Sequence, residues 1–309
     1  MKSLNNNILA TLSYADIFDY PLSEDEIFEW LIVLKTEEGR QKTDSRSQKT
    51  EDRKIFAHSL QLALHSYLIG IKEGFCYLKG RERIVALRKQ REEWSRPKLQ
   101  RAEKVAGIMR LIPWVKLVGV TGGLARMNAD KKDDIDLFFI AAKNRLWLTR
   151  GVVVLLLSLL GLYRRKNKIT DMICPNMFVS EDNLRMRPED VYVAHEVCLM
   201  RPIFVRDDTY LFFIEANIWV KKFLPNIQRS KIYNLKSKID KDQKAIPQIL
   251  HFTFYILDIA EQLARQTQLW YMRHHRTIEI VSDNLIKFHP RDVREEILRK
   301  WHERMESYR

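Results

Sequence analysis

The chain has 309 residues, 46% of them hydrophobic, which is enough for two or three domains with buried cores. Its net charge of +13 favours polyanionic partners such as nucleic acid, nucleotides or an acidic protein, with a solvated basic surface as the simpler alternative. Its three cysteines form no Cys-x-x-Cys pair, which argues against a disulfide framework or zinc ribbon and, without an apolar signal core at the N-terminus, predicts a cytoplasmic protein.

Residues 1–80 are predicted to form a helical unit that ends in a hairpin. A first helix is followed by Ser23 and Glu26, which have the spacing of a capping box at the start of a second helix. A third helix is predicted over residues 55–67, and residues 68–78 form two short strands around a turn. This is the order of a winged helix. Whether the unit binds DNA or only contacts protein stays open, because the third helix lacks the basic side chains expected for base contacts.

Two segments of the chain are rich in polar and charged residues. Residues 35–54 contain no hydrophobic residue, which predicts a mobile insertion in the first unit. Residues 81–111 are rich in arginine and lysine but also carry apolar residues at helical spacing, which predicts a basic helix that links two domains. Pro97 allows a break near the middle of this helix. A surface that follows a phosphate backbone is the alternative role.

Residues 112–205 are predicted to alternate between strands and helices. The strands are expected at 114–120, 134–141 and 172–179, and the helices at 145–162 and 187–200. The apolar run 151–163 is shorter than the roughly 20 residues of a membrane span, so we expect a buried helix and no span, with peripheral membrane contact as the alternative. Residues 206–309 are predicted to be helical, with helices at 210–223, 247–274 and 291–307.

The most informative motif lies in the first two of these strands. Gly122 and Gly123 follow the first strand, and Asp134 and Asp136 begin the second. Positions two apart on a strand point to the same face, so the two carboxylates are expected to converge. Glycine lets the backbone approach a phosphate closely, and a helix beginning at Leu124 would point free N–H groups at it. Two carboxylates beside such a turn can hold a divalent cation against a phosphate.

The sequence Val120-Thr121-Gly122-Gly123, followed by Asp134-Ile135-Asp136, resembles the motif of a nucleotidyltransferase superfamily. That superfamily includes DNA polymerase β, the minimal nucleotidyltransferases and the aminoglycoside nucleotidyltransferases. The resemblance implies an α+β fold, in which a small mixed β-sheet core is flanked by helices. Here a winged-helix-like unit precedes the core and a helical region follows it, an order that resembles bacterial proteins carrying this domain.

The resemblance also implies a reaction, the transfer of a nucleoside monophosphate from a nucleoside triphosphate. Asp134 and Asp136 would be the catalytic ligands of two Mg²⁺ ions, or of Mn²⁺, which clamp the attacking and leaving oxygens. Gly122 and Gly123 would form the phosphate turn, and Arg126 would help to bind the nucleotide phosphates. Nucleic acid, protein and a small molecule all stay open as the acceptor.

A third carboxylate is the point on which activity depends. Catalytic relatives place one on a later strand, where it helps to hold metal and can act as the base. The corresponding strand here carries Asn176 and no acid, and Asp171 stands at its start. Either Asp171 or another acid substitutes, or the chain binds nucleotide without turnover. Three functions follow: a nucleotidyltransferase, a nucleotide-binding or DNA-associated regulator, and an antitoxin-like protein that binds a partner.

Overall fold

The protein has an α+β fold, as the sequence predicts. The computed structural model describes residues 2–34, 46–65, 68–227, 251–273, 280–282, 284–287 and 293–308. Its helices are α1 (Lys2–Asp16), α2 (Glu24–Glu29), α3 (Arg46–His65), α4 (Arg83–Met109), α5 (Gly122–Ala125), α6 (Leu146–Leu159), α7 (Val191–Leu199), α8 (Thr209–Ala216), a 3₁₀ helix (Ile218–Lys222), α9 (His251–Arg273) and α10 (Val293–Glu306). Its strands are β1 (Leu22–Ser23), β2 (Ile69–Lys72), β3 (Phe75–Leu78), β4 (Val115–Val120), β5 (Ile135–Ala141), β6 (Ile173–Ser180), β7 (Arg201–Val205), β8 (Ile280–Val281) and β9 (Leu285–Lys287).

The N-terminal part of the chain packs α1, α2 and α3 with a three-stranded sheet in the order β1-β3-β2. The predicted capping box is present. The Ser23 hydroxyl accepts a hydrogen bond from the Glu26 N–H at 3.3 Å, and the Glu26 carboxylate accepts one from the Ser23 N–H at 2.8 Å. The predicted order of three helices and a hairpin is confirmed. The winged-helix assignment and its role stay a prediction.

Helix α3 starts at Arg46, earlier than the sequence predicts. It therefore covers part of the polar segment 35–54, of which residues 35–45 lie outside the described residues. Arg53, in this part of α3, makes two contacts with α2, an ion pair with Asp25 and a contact with Phe28. The Arg53 guanidinium carbon lies 5.4 Å from the centroid of the Phe28 ring, on α2. A cation over an exposed aromatic ring contributes about 0.5–1 kcal/mol, and no periodicity within α3 can reveal it.

The second sheet has six strands in the order β7-β4-β5-β6-β9-β8. It is mixed, because β5 and β6 are parallel whereas the other neighbouring strands are antiparallel. Along β5, Leu137 and Phe139 enter one core with α4, α6 and α9. Phe138 and Ile140 enter the other core with α1, α7, α8 and α10. By the same alternation, Asp136 lies on the face of the sheet that α7 covers.

The C-terminal region is not solely helical, which corrects the expectation for residues 206–309. Strand β9 pairs with β6, with Ile286 opposite Phe178, and β8 pairs with β9. At the other edge of the sheet, β7 pairs with β4 and tolerates Pro202, as edge strands do. These three strands have five, two and three residues for β7, β8 and β9, too few for a period-two pattern to be recognised.

Helix α4 runs through Pro97 without the break that a proline allows. Its apolar face is buried against the six-stranded sheet through Leu99, Ala102, Val105, Ala106 and Met109. At its other end, the Arg88 guanidinium donates to both carboxylate oxygens of Glu26 at 2.7 and 2.8 Å. The same guanidinium lies 4.2 Å from the ring centroid of Tyr20 and 4.4 Å from that of Phe75. Helix α4 thus contacts both the N-terminal unit and the six-stranded sheet, and its role as a link between domains stays a prediction.

Helix α6 is buried on one side only, so the prediction of a buried helix is wrong for its outer face. Trp147, Val153 and Leu157 are buried, whereas Leu155 and Leu159 are 57% and 75% exposed. Among the helices that the structure describes, none combines the length and the apolar character needed to cross a membrane.

Candidate functional site

The structure brings Asp134 and Asp136 together. Asp136 lies in β5 and Asp134 directly precedes the strand. Their neighbours Ile135 and Leu137 are fully buried on the opposite face, so both carboxylates project from one face at the end of the strand. Both aspartates are half-buried. This is the convergence that the spacing of the two residues predicts.

A third side chain, Cys174, joins this pair. In the parallel pairing of β5 with β6, Cys174 stands opposite Asp136. The thiol and one oxygen of each carboxylate all lie within 4.8 Å of one another. Of the histidine, cysteine, aspartate and glutamate side chains in the described ranges, Asp134, Asp136 and Cys174 form the group that could hold a metal ion.

Of the two residues predicted for the third-strand position, Asn176 lies in β6 near Asp136, whereas Asp171 lies outside the strand. The register between β5 and β6 shifts by one residue, so that Leu137 faces Pro175 while the next residue of β5 faces Met177. Asn176 is the extra residue of this bulge, and its side chain is buried beside Asp136. Asp171 is turned away to the Lys98 ammonium group at 2.5 Å, outside the metal-ligand group.

The glycine turn lies against the Asp136 carboxylate. Gly122 has a φ of +65°, a left-handed conformation that favours glycine, and a Cβ there would lie 3.5 Å from Asp136 Oδ2. The Thr121 N–H donates to the Asp136 carbonyl at 3.1 Å, which ties the turn to β5. Helix α5 begins at Gly122 rather than at Leu124 and is only four residues long. Its dipole therefore contributes less to anion binding than a full-length helix would.

Arg164 approaches the aspartates from the segment after α6. Its N–H donates to the Ile173 carbonyl at 3.0 Å, which holds the segment beside β6. Its guanidinium Nε lies 2.8 Å from Asp134 Oδ2. No sequence pattern predicts this pair, since the contact depends on how the chain returns to the sheet. Arg164 offsets part of the negative charge that the two aspartates would otherwise present.

Burial sets the protonation of the group. Burial, followed by the charge of the neighbouring Asp134, raises the pKa of Asp136 from 3.8 to about 7. Burial also raises the pKa of Asp134, against the opposing charge of Arg164. The pKa of the Cys174 thiol is raised by burial as well, so the thiol is protonated at neutral pH. A cation would therefore meet a proton at Asp136 below about pH 7.

A cavity of about 420 Å³ opens beside this group. The residues of its wall that matter for the site are Gly122, Gly123, Arg126, Asp136, Asn176 and Glu196. Its volume falls within the range of about 300–1,000 Å³ that small-molecule sites occupy. Asp136 is a member of the metal-ligand group and also lines this cavity, where the glycine turn forms another part of the wall.

Glu196 of α7 is a carboxylate that sequence reasoning missed. It is half-buried in the cavity wall, and burial raises its pKa. Its charge also adds to the rise in the pKa of Asp136, which places the two groups within electrostatic reach. The sequence indicates Glu196 only weakly, because Glu196 and His195 are two adjacent polar residues in a helix that is otherwise largely apolar. His195 faces the core, where its ring stacks on Tyr14 with centroids 4.1 Å apart.

Arg126 lies at the edge of the cavity, as its predicted role in phosphate binding requires. Its guanidinium carbon lies 4.4 Å from the centroid of the Phe18 ring, which fixes its position. Its charge acts on Glu196 and lowers the pKa of that carboxyl against the larger effect of burial. Arg126 is therefore a cationic side chain of the cavity wall, which Arg91 also lines.

Comparisons with known proteins add little to this geometry. No protein-family model matches the sequence, and no curated protein matches it. The chain is similar to one solved structure, described as a toxin–antitoxin with AMP-PNP, at 17% identity over 44% of this chain and 90% of that chain. The TM-score is 0.25, which is too low to support an inference about fold or function.

Proposed function

We propose that the protein is a divalent-cation-dependent nucleotidyltransferase, which transfers a nucleoside monophosphate from a nucleoside triphosphate to a hydroxyl acceptor. One observation carries the proposal. Asp134 and Asp136 converge at the end of β5, and the Gly122 turn leaves open space directly beside the Asp136 carboxylate. This arrangement suits a cation bound between carboxylates and phosphate oxygens.

The donor set fits Mg²⁺ or Mn²⁺ at its two carboxylates. Asp134 and Asp136 offer the oxygen ligands that these cations prefer, whereas the protonated thiol of Cys174 is a poor ligand for either. With two carboxylates in the group, a second ion would take most of its ligands from the triphosphate and water. A bound divalent cation supplies charge neutralisation at the reacting phosphate.

The residues around the cavity would then have separate roles in the reaction. Gly122 and Gly123 allow the backbone to approach the phosphates, and Arg126 offsets their charge. The acceptor oxygen attacks the α-phosphorus, the bond to the pyrophosphate oxygen breaks, and the hydroxyl proton passes to the Glu196 carboxylate. A buried carboxyl with a raised pKa is suited to take up that proton.

The first test is label transfer from the four nucleoside triphosphates, labelled at the α-phosphate, in the presence of Mg²⁺ or Mn²⁺. We expect transfer or pyrophosphate release, and Asp136→Asn should lower the rate by about 10²–10³-fold because it removes a metal ligand. Asp207→Asn is the matched control, since the Asp207 side chain is 61% exposed and pairs with Lys116 at the surface. Equal rates for the two variants would refute the proposal.

A second test concerns Glu196. Glu196→Gln should lower the transfer rate by about 10²-fold and remove the rise in rate with pH that ionisation of Glu196 produces, while nucleotide affinity stays the same. Glu215→Gln, on the exposed surface of α8, is the control. A variant that keeps the rate and the pH profile of the wild type would exclude Glu196 as the proton acceptor.

A catalytically inactive nucleotide-binding protein is the second candidate. Two observations favour it: the third member of the metal group is a thiol, and the Arg164 guanidinium lies 2.8 Å from Asp134, where it competes with a cation. Nucleotide binding without transfer to any acceptor would support this candidate. A salt-dependent shift of duplex DNA would then indicate a DNA-associated regulator, and a small co-purifying protein would indicate the antitoxin-like alternative.

A further inference from the structure

A second and larger cavity, of about 560 Å³, lies between the N-terminal unit and the six-stranded sheet. Its walls come from α2, α4, the end of α7, β7 and α8. Arg126 lines both this cavity and the smaller one beside Asp136. The two cavities are therefore neighbours, and the proposed transfer chemistry makes no use of the larger one.

The wall of the larger cavity is mainly apolar. The side chains that give it this character include Trp30, Met127, Leu199, Ile214, Ile218 and Val220. Apolar surface that stays open to solvent has an unfavourable hydration free energy, which a ligand with an apolar or aromatic body would relieve. The shape and lining thus favour an organic ligand over a simple ion.

The charged side chains of this wall leave an excess of positive charge. Arg88 is bound to Glu26, and Glu92 is bound to Arg96 at 2.8 Å, so these acids are already balanced. Within the described residues, no carboxylate lies within ion-pair distance of the other three cations of the wall, which are Arg126, Arg201 and Lys221. Among the described residues of the wall, Glu29 is the one further acid. Arg126 already interacts with the charge of Glu196, so Arg201 and Lys221 are the two cations that exceed this carboxylate, and their excess positive charge favours an anionic ligand.

We propose that the larger cavity binds an organic anion with an apolar or aromatic body, held by Arg201 and Lys221. Because Arg126 also borders the smaller cavity, a ligand in the larger cavity would lie next to the candidate reaction site. A role as the acceptor of nucleotidyl transfer would rest on the proposed function. Binding of the anion itself does not, since it involves neither Asp134 nor Asp136.

Two dyes with the same aromatic body test the proposal on the full chain. 1-Anilinonaphthalene-8-sulfonate carries a sulfonate, and N-phenyl-1-naphthylamine does not. In fluorescence titrations without nucleotide or metal, we expect the sulfonate dye to bind at least tenfold more tightly. The double variant Arg201→Gln/Lys221→Gln should abolish this preference and leave the affinity of the neutral dye unchanged.

Two further variants locate the binding site. Arg83→Gln/Lys104→Gln removes the same two charges from exposed positions of α4 and should leave both affinities unchanged. Ile218→Trp narrows the cavity at a residue that is 43% exposed, so it should weaken both dyes without lowering the Tm. Equal affinity for the two dyes, or full binding to Ile218→Trp, would overturn the proposal. Because the assay contains no triphosphate, its failure would leave the transferase proposal untouched.

Discussion

Replacing Asp136 by asparagine is expected to raise the free energy of unfolding of the metal-free protein at pH 8 by about 2–4 kcal/mol. The reason is the cost of an ionised carboxylate at this position, since burial, and then the charge of Asp134, raises the pKa of Asp136 from 3.8 to about 7. A raised pKa in the folded state means that folding favours the protonated form. The stability that Asp136 provides is thus present below about pH 4 and is lost as the pH rises to 7.

The measurement is urea-induced unfolding of both proteins at pH 4 and pH 8, with EDTA or with Mg²⁺ or Mn²⁺. The two proteins should have similar stability at pH 4, and the advantage of the variant should appear at pH 8. The divalent cation should stabilise the wild type at pH 8 and have no effect on the variant, because ligand binding adds to stability only where the site exists. Asp207→Asn should change the free energy of unfolding by less than about 0.5 kcal/mol.

Two outcomes would contradict this account. Equal stability of wild type and Asp136→Asn at pH 8 would mean that the carboxylate is well solvated. A retained response of the variant to the cation would place the metal elsewhere. Together, the stability gain and the loss of the metal response would mark Asp136 as a residue kept for function at the expense of stability.

Local rules account for the part of the site that the sequence predicts. The convergence of Asp134 and Asp136 follows from the period of two along a strand, which no packing partner can change. The turn at Gly122 follows from the need for a left-handed backbone, and the capping box of Ser23 and Glu26 from spacing alone. Each of these features is settled by residues within a few positions of each other.

The groups that surround the two aspartates could not be predicted in this way. Cys174 lies beside Asp136 because of the register of β6, and the bulge that displaces Asn176 is invisible in the sequence. Arg164 reaches Asp134 only because the segment after α6 runs beside β6. Glu196 enters the cavity because α7 covers that face of the sheet. The positions of these four side chains depend on contacts between elements that are distant in the sequence.

The basic helix α4 shows that the location of a charged side chain cannot be predicted from a run of basic residues either. A run of arginines and lysines suggests a surface for phosphates, yet the side chain of Lys98 is only 2% exposed. Its ammonium group donates to the Lys131 carbonyl at 3.2 Å, to the Asp133 carbonyl at 2.7 Å and to the Asp171 carboxylate at 2.5 Å. Lys98 therefore holds the loop that leads into Asp134, and its charge is used inside the protein.

Lys98→Met is accordingly expected to lower the free energy of unfolding by about 2–4 kcal/mol, because two backbone carbonyls and a carboxylate lose the hydrogen bonds that the buried ammonium group donates. It should also weaken the stabilisation by Mg²⁺ or Mn²⁺, since the loop before Asp134 is no longer fixed. Lys104→Met, on the exposed face of the same helix, is the matched control and should change neither quantity. If both variants unfold at the same urea concentration, the Lys98 contacts contribute no net stability. If Lys98→Met loses stability but keeps the full metal response, the loop does not position Asp134.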